Sequence, residues 1–406
     1  MKLHKKTIRD VPLERRTVLV RTDYNVPLHE DGTIADDYRI RASLPTIRWL
    51  LKEGCKVVII THLGRPEGVD PTLSLEPVAQ RLAELLGEPI RFVDKTIGEK
   101  VRMAIKRAPK RSVTVLENLR FHPEEEANDD NFARQLARDS GARYFVQDGF
   151  GVVHRDHAST SAITAWLPSV AGLLVEKEYT MITSAMEHPE RPFVAVLGGA
   201  KVSDKIAFVQ RLIEKADRIL IGGAMANTFL AYKGNGVGAS KRETGQTSVL
   251  KDIYAAAAKK VGSGNVDEFL VLPNDLATAK TIGKGAARTV KTVGHIADDD
   301  LCLDIGDTSA KHYVEIVRRA KTVVWNGTLG LAELPAFAKS SAELAAALTK
   351  QTGKQSVIGG GDTVDFVLDW DKKHGGSFDH ISTGGGASLQ LMSGETLPGI
   401  EHLLDA

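Results

Sequence analysis

Cysteine is nearly missing from this 406-residue chain: Cys55 and Cys302 are the only two, too few for a disulfide framework or a cysteine-rich metal cluster. An excess of either charge is missing as well. Lysine and arginine number 53 against 52 aspartates and glutamates, and both halves are balanced, so no region is basic enough to point to nucleic acid or a membrane surface as partner. The opening MKLHKKTIRDVPL lacks the ~7–15 apolar residues of a secretory signal, and no run approaches the ~20 of a membrane span. A reducing, cytoplasmic setting is therefore expected. Two nucleotide-binding signatures are missing too. No G-x-x-x-x-G-K precedes Ser or Thr, since Gly283-Lys284 and Gly353-Lys354 are followed by Gly285 and Gln355. The first expected strand is not followed by G-x-G-x-x-G. A P-loop enzyme and a simple dinucleotide-binding dehydrogenase are disfavoured.

What is present is enough apolar material, 42% of residues, to fill a core in each of two or three domains. Short β-branched runs alternate with helical stretches, the pattern of parallel strands joined by crossover helices. The runs predict strands near Thr17–Thr22, Lys56–Thr61, Ile90–Val93, Val113–Leu116 and Tyr144–Gln147. A second set is expected near Phe193–Leu197, Ile219–Ile221, Phe269–Leu272, Thr322–Trp325, Ser356–Ile358 and His380–Ser382. The expected fold is α/β: two doubly wound parallel-sheet domains over 1–170 and 191–387. Between them, residues 171–190 carry a helical pattern through Leu174, Tyr179, Ile182 and Met186 that the HPERP stretch stops, the mark of a joining helix.

Arginine and glycine are unevenly shared. Residues 1–190 hold 18 Arg and 10 Gly, the remainder 7 Arg and 27 Gly. Ligands of open parallel sheets bind beyond the carboxyl ends of strands, so residues just after each strand matter most. In the first half these are Arg21, Asp23 and Asn25; His62 and Arg65; Asn118 and Arg120; and Asp148, His154 and Arg155, with Arg39 in a polar loop beyond the first strand. Singly, such residues read as helix starts or solvated side chains. Together, forked cationic donors suit an anion bearing both phosphate and carboxylate. In the second half the strand ends are glycine turns. Gly198 and Gly199 precede Ala200, Lys201 and Lys205; Gly222 and Gly223 follow the next strand; Gly359, Gly360 and Gly361 precede Asp362 and Thr363; Gly384, Gly385 and Gly386 follow the last. One Gly pair reads as tight packing. Four such turns, with two lysines and an acid, favour phosphates on helix N-termini and a magnesium-bound nucleotide.

Along nearly its whole length the chain resembles the phosphoglycerate kinase family. The matching segments are VRTDYNVPL, DDYRI, THLGRP, LENLRFHPEE, DGFGVVHRDHAST, GGAKVSDK, WNGTLGLAE, GGGDT and STGGGASLQLMSGETLPG. The resemblance implies reversible phosphoryl transfer between Mg-ATP and 3-phosphoglycerate in glycolysis and gluconeogenesis. It implies that Arg21, Asp23, Asn25, Arg39, His62, Arg65, Arg120 and Arg155 bind the phosphoglycerate. Gly199, Ala200, Lys201, Lys205, Gly223, Asn326, Glu333, Gly360, Gly361, Asp362 and Thr363 would serve the nucleotide, Glu333 on the ribose and Asp362 on Mg2+. Arg39, Lys201, Lys205 and the amides of Gly361 and Gly384 would stabilise the transferring group. Residues 388–406 would pack back on the first domain, and the family is commonly monomeric. The chain departs from the family at three places. Asp307 stands where L-D-I-G-P has its proline, and Thr328 and Ala332 stand where Pro and Phe are usual. A binding protein that has lost productive nucleotide binding, or a kinase for another small carboxylate, are the alternative readings.

Overall fold

In a computed structural model, which describes residues 3–349 and 353–406, the β-branched runs of the first half become β1 Thr17–Arg21, β2 Lys56–Ile60, β3 Ile90–Val93, β4 Ser112–Leu116, β5 Tyr144–Gln147 and β6 Ser169–Ala171. All pair in parallel, in the order β3-β4-β2-β1-β5-β6. Strand alternation divides the core between two faces. Val18, Val20, Val57, Ile59 and Val115 pack with Ile40, Ile47, Val78 and Leu82. Leu19, Val58, Ile60 and Phe145 pack with Val101, Ile105, Phe132 and Leu136. Apolar residues on both faces are what a parallel sheet covered by helices on each side requires. Full burial of a Val, Leu or Ile contributes roughly 1.5–3 kcal/mol, far above the fractions of a kcal/mol that separate helix propensities. Packing, not propensity, fixes these helices. The chain winds outward from β1 through β2, then returns to β5 on its other side, so the topological switch point lies at β1.

The second half gives β7 Phe193–Leu197, β8 Arg218–Ile221, β9 Leu270–Val271, β10 Asp275–Ala279, β11 Thr289–Thr292, β12 Leu301–Ile305, β13 Thr322–Asn326, β14 Gln355–Gly359 and β15 His380–Ile381. Six of these form a parallel sheet in the order β15-β14-β13-β7-β8-β9, with its switch point between β13 and β7. β10, β11 and β12 form a separate antiparallel sheet. Neither this sheet nor β6 is among the strands expected from the sequence.

The chain divides into two units. One runs through Thr180 and takes back Thr396–Ala406; the other is Met181–Glu395. The division falls inside the helix Leu173–Glu187, which buries Val175, Ile182, Ala185 and Met186. In the first unit the returning segment is fastened by backbone bonds from Lys6 N to Leu404 O, Leu404 N to Ser169 O and Gly399 N to Val153 O. Lys5 Nζ adds a bond to Asp405 Oδ1 at 2.7 Å. Among the described residues no helix is long and apolar enough to cross a membrane.

Candidate active site

β1 ends on Arg21, whose side chain turns inward and is 1% exposed. A buried guanidinium needs all its donors satisfied. Its Nε donates to Ser159 Oγ at 2.7 Å, one terminal nitrogen to Thr22 O and the other to His62 Nδ1 at 3.3 Å. Glu125, also buried, lies 3.8 Å away and accepts from the Ser159 amide and hydroxyl. Burial lowers the Arg21 pKa and raises that of Glu125, and each charge opposes the other's shift. Glu125 and Ser159 lie within the LENLRFHPEE and DGFGVVHRDHAST segments. Neither was expected to have a role, because the order of residues after a strand does not show which arginine turns inward and needs a counter-ion.

Around this pair the other expected residues gather. Arg39, expected in a loop, instead lies in the first turn of the helix Tyr38–Lys52; Asp23 accepts from it at 2.5 Å and stands 4.0 Å from His62 Nδ1. Asn25 Oδ1 accepts from the Gly64 amide at 2.8 Å, while Arg120 donates to the Gly64 carbonyl and pairs with Glu126 at 3.1 Å. Asn118 fixes the turn between them, bonding Leu63 N, Leu63 O and Leu73 O. The positive fields of Arg65 and Arg155 reach Arg120, and that of Arg155 also reaches Arg21 and His62. Arg65 and Arg155 form no ion pair among the described residues. His62, counted from sequence among the cationic groups, is held neutral: burial first, then the Arg21, Arg120 and Arg39 charges, take its pKa well below the ordinary value. Burial also lowers His154, and His157 to about 4. The positive charge of this cradle belongs to arginine alone.

In the second unit, β7 and β13 end side by side at the switch point. The Gly198 amide donates to Asn326 O and that of Gly199 to Thr328 O. A Cβ on Gly198 would fall 2.0 Å from Thr328 O, and one on Gly327 within 2.3 Å of Gly198 O, so this backbone contact excludes every other residue type. Gly223, at φ +62, closes on Gly199 in the same way. Lys205 Nζ spans both strand ends, donating to Gly198 O at 3.0 Å and Asn326 O at 3.3 Å. Burial lowers its pKa to about 8 against the opposing pull of Asp362. Asn326 packs beside Gly359 and Gly360, and Thr363 Oγ1 accepts from the Gly327 amide at 2.7 Å. Gly361 and Asp362 open the helix Gly361–Trp370, and Gly386 opens the helix Gly386–Ser393, directed by a turn in which the Gly384 amide donates to Ser382 Oγ. Lys201 is exposed and its field falls on Glu243. Glu243 holds the neighbouring turn by accepting from the Val202 and Ser203 amides.

An arginine cradle whose charge suits a small multiply charged acid, and on a second sheet a set of glycine turns with lysines and the helix-starting carboxylate of Asp362, define a kinase that acts on a small acid. A sequence model of the family described as phosphoglycerate kinase matches residues 8–395. The phosphoglycerate kinase of Dictyoglomus turgidum is 44% identical over 406 residues, covering 99% of each chain, and that of Thermosynechococcus vestitus is 45% identical over 399 residues, covering 97% of each. Among solved structures, phosphoglycerate kinase from Coxiella burnetii superposes with a TM-score of 0.84 at 32% identity, covering 98% of both chains. The chain belongs to the phosphoglycerate kinase family.

Proposed function

We propose that this protein moves a phosphoryl group reversibly between Mg-ATP and the carboxylate of 3-phosphoglycerate, as a cytoplasmic, monomeric enzyme of glycolysis and gluconeogenesis. The unit ending at Thr180 would bind the phosphoglycerate and the other the nucleotide. The observation that carries this reading is the cradle: five arginines, two of them without an ion-pair partner among the described residues, gathered about a neutral histidine that lies in the field of four of them. Forked donors match both the phosphate and the carboxylate of such a substrate. The acceptor carboxylate is already ionised at neutral pH, so the transfer needs no general base. Rate must come from alignment and from neutralising charge on the transferring oxygens.

In this reading Arg39 holds the acceptor carboxylate and the incoming oxygens, and its bond to Asp23 keeps it in one orientation. Arg21, Arg65, Arg120 and Arg155 hold the distal phosphate, with Asn25, Asp23 and neutral His62 completing its hydrogen bonds. On the other unit Lys201, Lys205 and the amides at Gly361 and Gly384 meet the nucleotide phosphates. Gly199, Ala200, Gly223, Asn326, Gly360 and Thr363 shape the cleft, and Glu333 takes the ribose. Magnesium fits this donor set. No group of three or more acidic, His or Cys side chains able to hold a metal occurs among the described residues, but Mg2+ accompanying phosphates needs only one or two carboxylates and water, which exposed Asp362 supplies. When bound, Mg2+ would neutralise phosphate charge. Asp362→Asn is expected to weaken Mg-ADP binding and leave 3-phosphoglycerate binding unchanged in separate calorimetric titrations; equal losses would indicate misfolding.

The decisive test is a coupled assay with ATP, magnesium and 3-phosphoglycerate. Turnover is expected. Saturable phosphoglycerate binding without turnover would mark a binding protein instead.

A further inference from the structure

Four dipeptides of the chain place an acid or its amide before glycine: Asp31-Gly32, Asp148-Gly149, Asn235-Gly236 and Asn326-Gly327. In such a pair the glycine nitrogen, shielded by no Cβ, can reach the side-chain Cγ of the residue before it and close a five-membered ring. The attack needs a nitrogen free of other bonds and a chain loose enough to fold back, and an amide carbon is a better target than a carboxylate. Three of the four glycine amides are already committed. Gly32 N donates to His29 O at 2.9 Å, Gly149 N to Gln147 Oε1 at 3.2 Å and Gly327 N to Thr363 Oγ1 at 2.7 Å. Asn326 is also buried, with Gly327 wedged against Gly198. Gly236 differs on each count. It is exposed, its nitrogen donates to no group among the described residues, and nothing lies within 4 Å of where a Cβ would stand.

Asn235 closes the end of the helix Gly223–Tyr232. Gly234, at φ +84, turns the chain; its amide donates to Ala231 O at 3.0 Å and the Asn235 amide to Leu230 O at 3.0 Å, the paired bonds of a Schellman cap. Asn235 Nδ2 adds a long bond to the same Leu230 carbonyl, 3.3 Å. Beyond Gly236 the chain is fixed again, since Val237 is buried with Leu230, Leu276 and Cys302 and the Ala239 amide donates to Asp300 O at 2.9 Å. Gly236 is the loose link between two held points.

We infer that Asn235-Gly236 is a site of spontaneous deamidation. Gly236 N gives up its proton and bonds to Asn235 Cγ; the Cγ–Nδ2 bond breaks, and the departing nitrogen takes up a proton and leaves as ammonia. The succinimide that remains is opened by water at either carbonyl, to aspartate or to isoaspartate, so one water enters for each ammonia lost. The new carboxylate stands by Leu230 O at the helix C-terminus, where negative charge is unfavourable, and the Nδ2 donor is gone. Isoaspartate also lengthens the main chain by one carbon. Either product loosens the cap.

The full-length protein would be held at mildly alkaline pH, native or in urea, then digested for mass spectrometry, with isoaspartate read by an isoaspartate-specific methyltransferase. In the native protein, aspartate and isoaspartate are expected to accumulate at position 235 while position 326 keeps its amide. In urea, where both glycine nitrogens are free, the two rates should converge. Gly236→Ala, at an open position outside the left-handed region, should lose most of the native conversion at 235 with the fold retained. Asn235→Asp should lower the thermal midpoint by a few degrees, the scale of one lost cap bond and one misplaced charge. No conversion at 235 in the native protein, equal native conversion at the two asparagines, aspartate without isoaspartate, or an unchanged rate in Gly236→Ala would overturn the assignment. An Asn235→Asp midpoint equal to that of wild type would overturn the loosening of the cap.

Discussion

Arg39 is oriented before substrate arrives, because Asp23 already holds one of its nitrogens while the side chain stays 31% exposed. In the proposed mechanism its charge would therefore act on the reacting oxygens with little reorganisation. Arg39→Ala is expected to lower kcat by about 10² to 10³ with the fold retained by circular dichroism; a folded variant with near-normal kcat would remove Arg39 from the mechanism. Lys205 invites a pH test. With a pKa of about 8 set by burial, it is charged below that pH and loses its proton above it, whereas a lysine in the unfolded chain stays charged further. Affinity for Mg-ADP should fall by up to about tenfold per unit as pH rises beyond 8, and Lys205→Arg, whose charge persists, should flatten that slope. A wild-type affinity independent of pH across this range would exclude a phosphate role for the Lys205 charge. The residue types at these strand ends were legible from sequence, because a parallel sheet offers its carboxyl edge and little else. Charge state was not: His62 reads as a cation in the chain and becomes neutral because four arginines and full burial surround it.

Among the elements, the helix Leu173–Glu187 depends on an acid that the strand pattern placed at an edge without a task. Asp148, just beyond β5, is fully buried and its Oδ1 accepts from the Leu174 amide at 2.9 Å, beside Thr46 Oγ1, which accepts from Leu173 N. Oδ2 has no hydrogen-bond partner among the described residues, and burial pushes the pKa up to about 8. The unfolded carboxyl loses its proton near 3.8 while the native one keeps it to about 8. The native state therefore binds more protons throughout that window, and stability falls as pH rises through it, by at most about 1.4 kcal/mol per unit. Asp148→Asn keeps an acceptor for Leu174 and should flatten the decline in urea midpoint between those pH values; a variant with the wild-type slope would assign the dependence elsewhere. Strands such as KVVII and FVAVL declared themselves through apolar runs buried on both faces. β6 is only three residues long. β10 is built on small residues, DLATA, and β11, TVKT, lies mostly exposed, so the antiparallel sheet carried neither of the patterns that reveal strands.

At the scale of the whole molecule, the two proposed ligand sets belong to separate units, yet direct transfer would need reacting atoms roughly 3–3.5 Å apart. Either substrate alone gains contacts mainly with its own unit and should shift the conformational balance little, whereas both together favour a closed form that also excludes water. Solution scattering should show the radius of gyration falling chiefly when both ligands are bound. An unchanged radius at saturation with both would rule out closure as the way the groups meet.

The return of Thr396–Ala406 to the first unit also has a consequence for synthesis. That unit is begun first and finished last, since its closing segment, with Leu404 and Asp405, leaves the ribosome only after the roughly 200 residues of Met181–Glu395. At about 5–20 residues per second, the nascent first unit spends on the order of 10–40 seconds with the Lys6 and Ser169 backbone groups that await Leu404 still open to water. The second unit is contiguous in sequence and can complete its fold before the first.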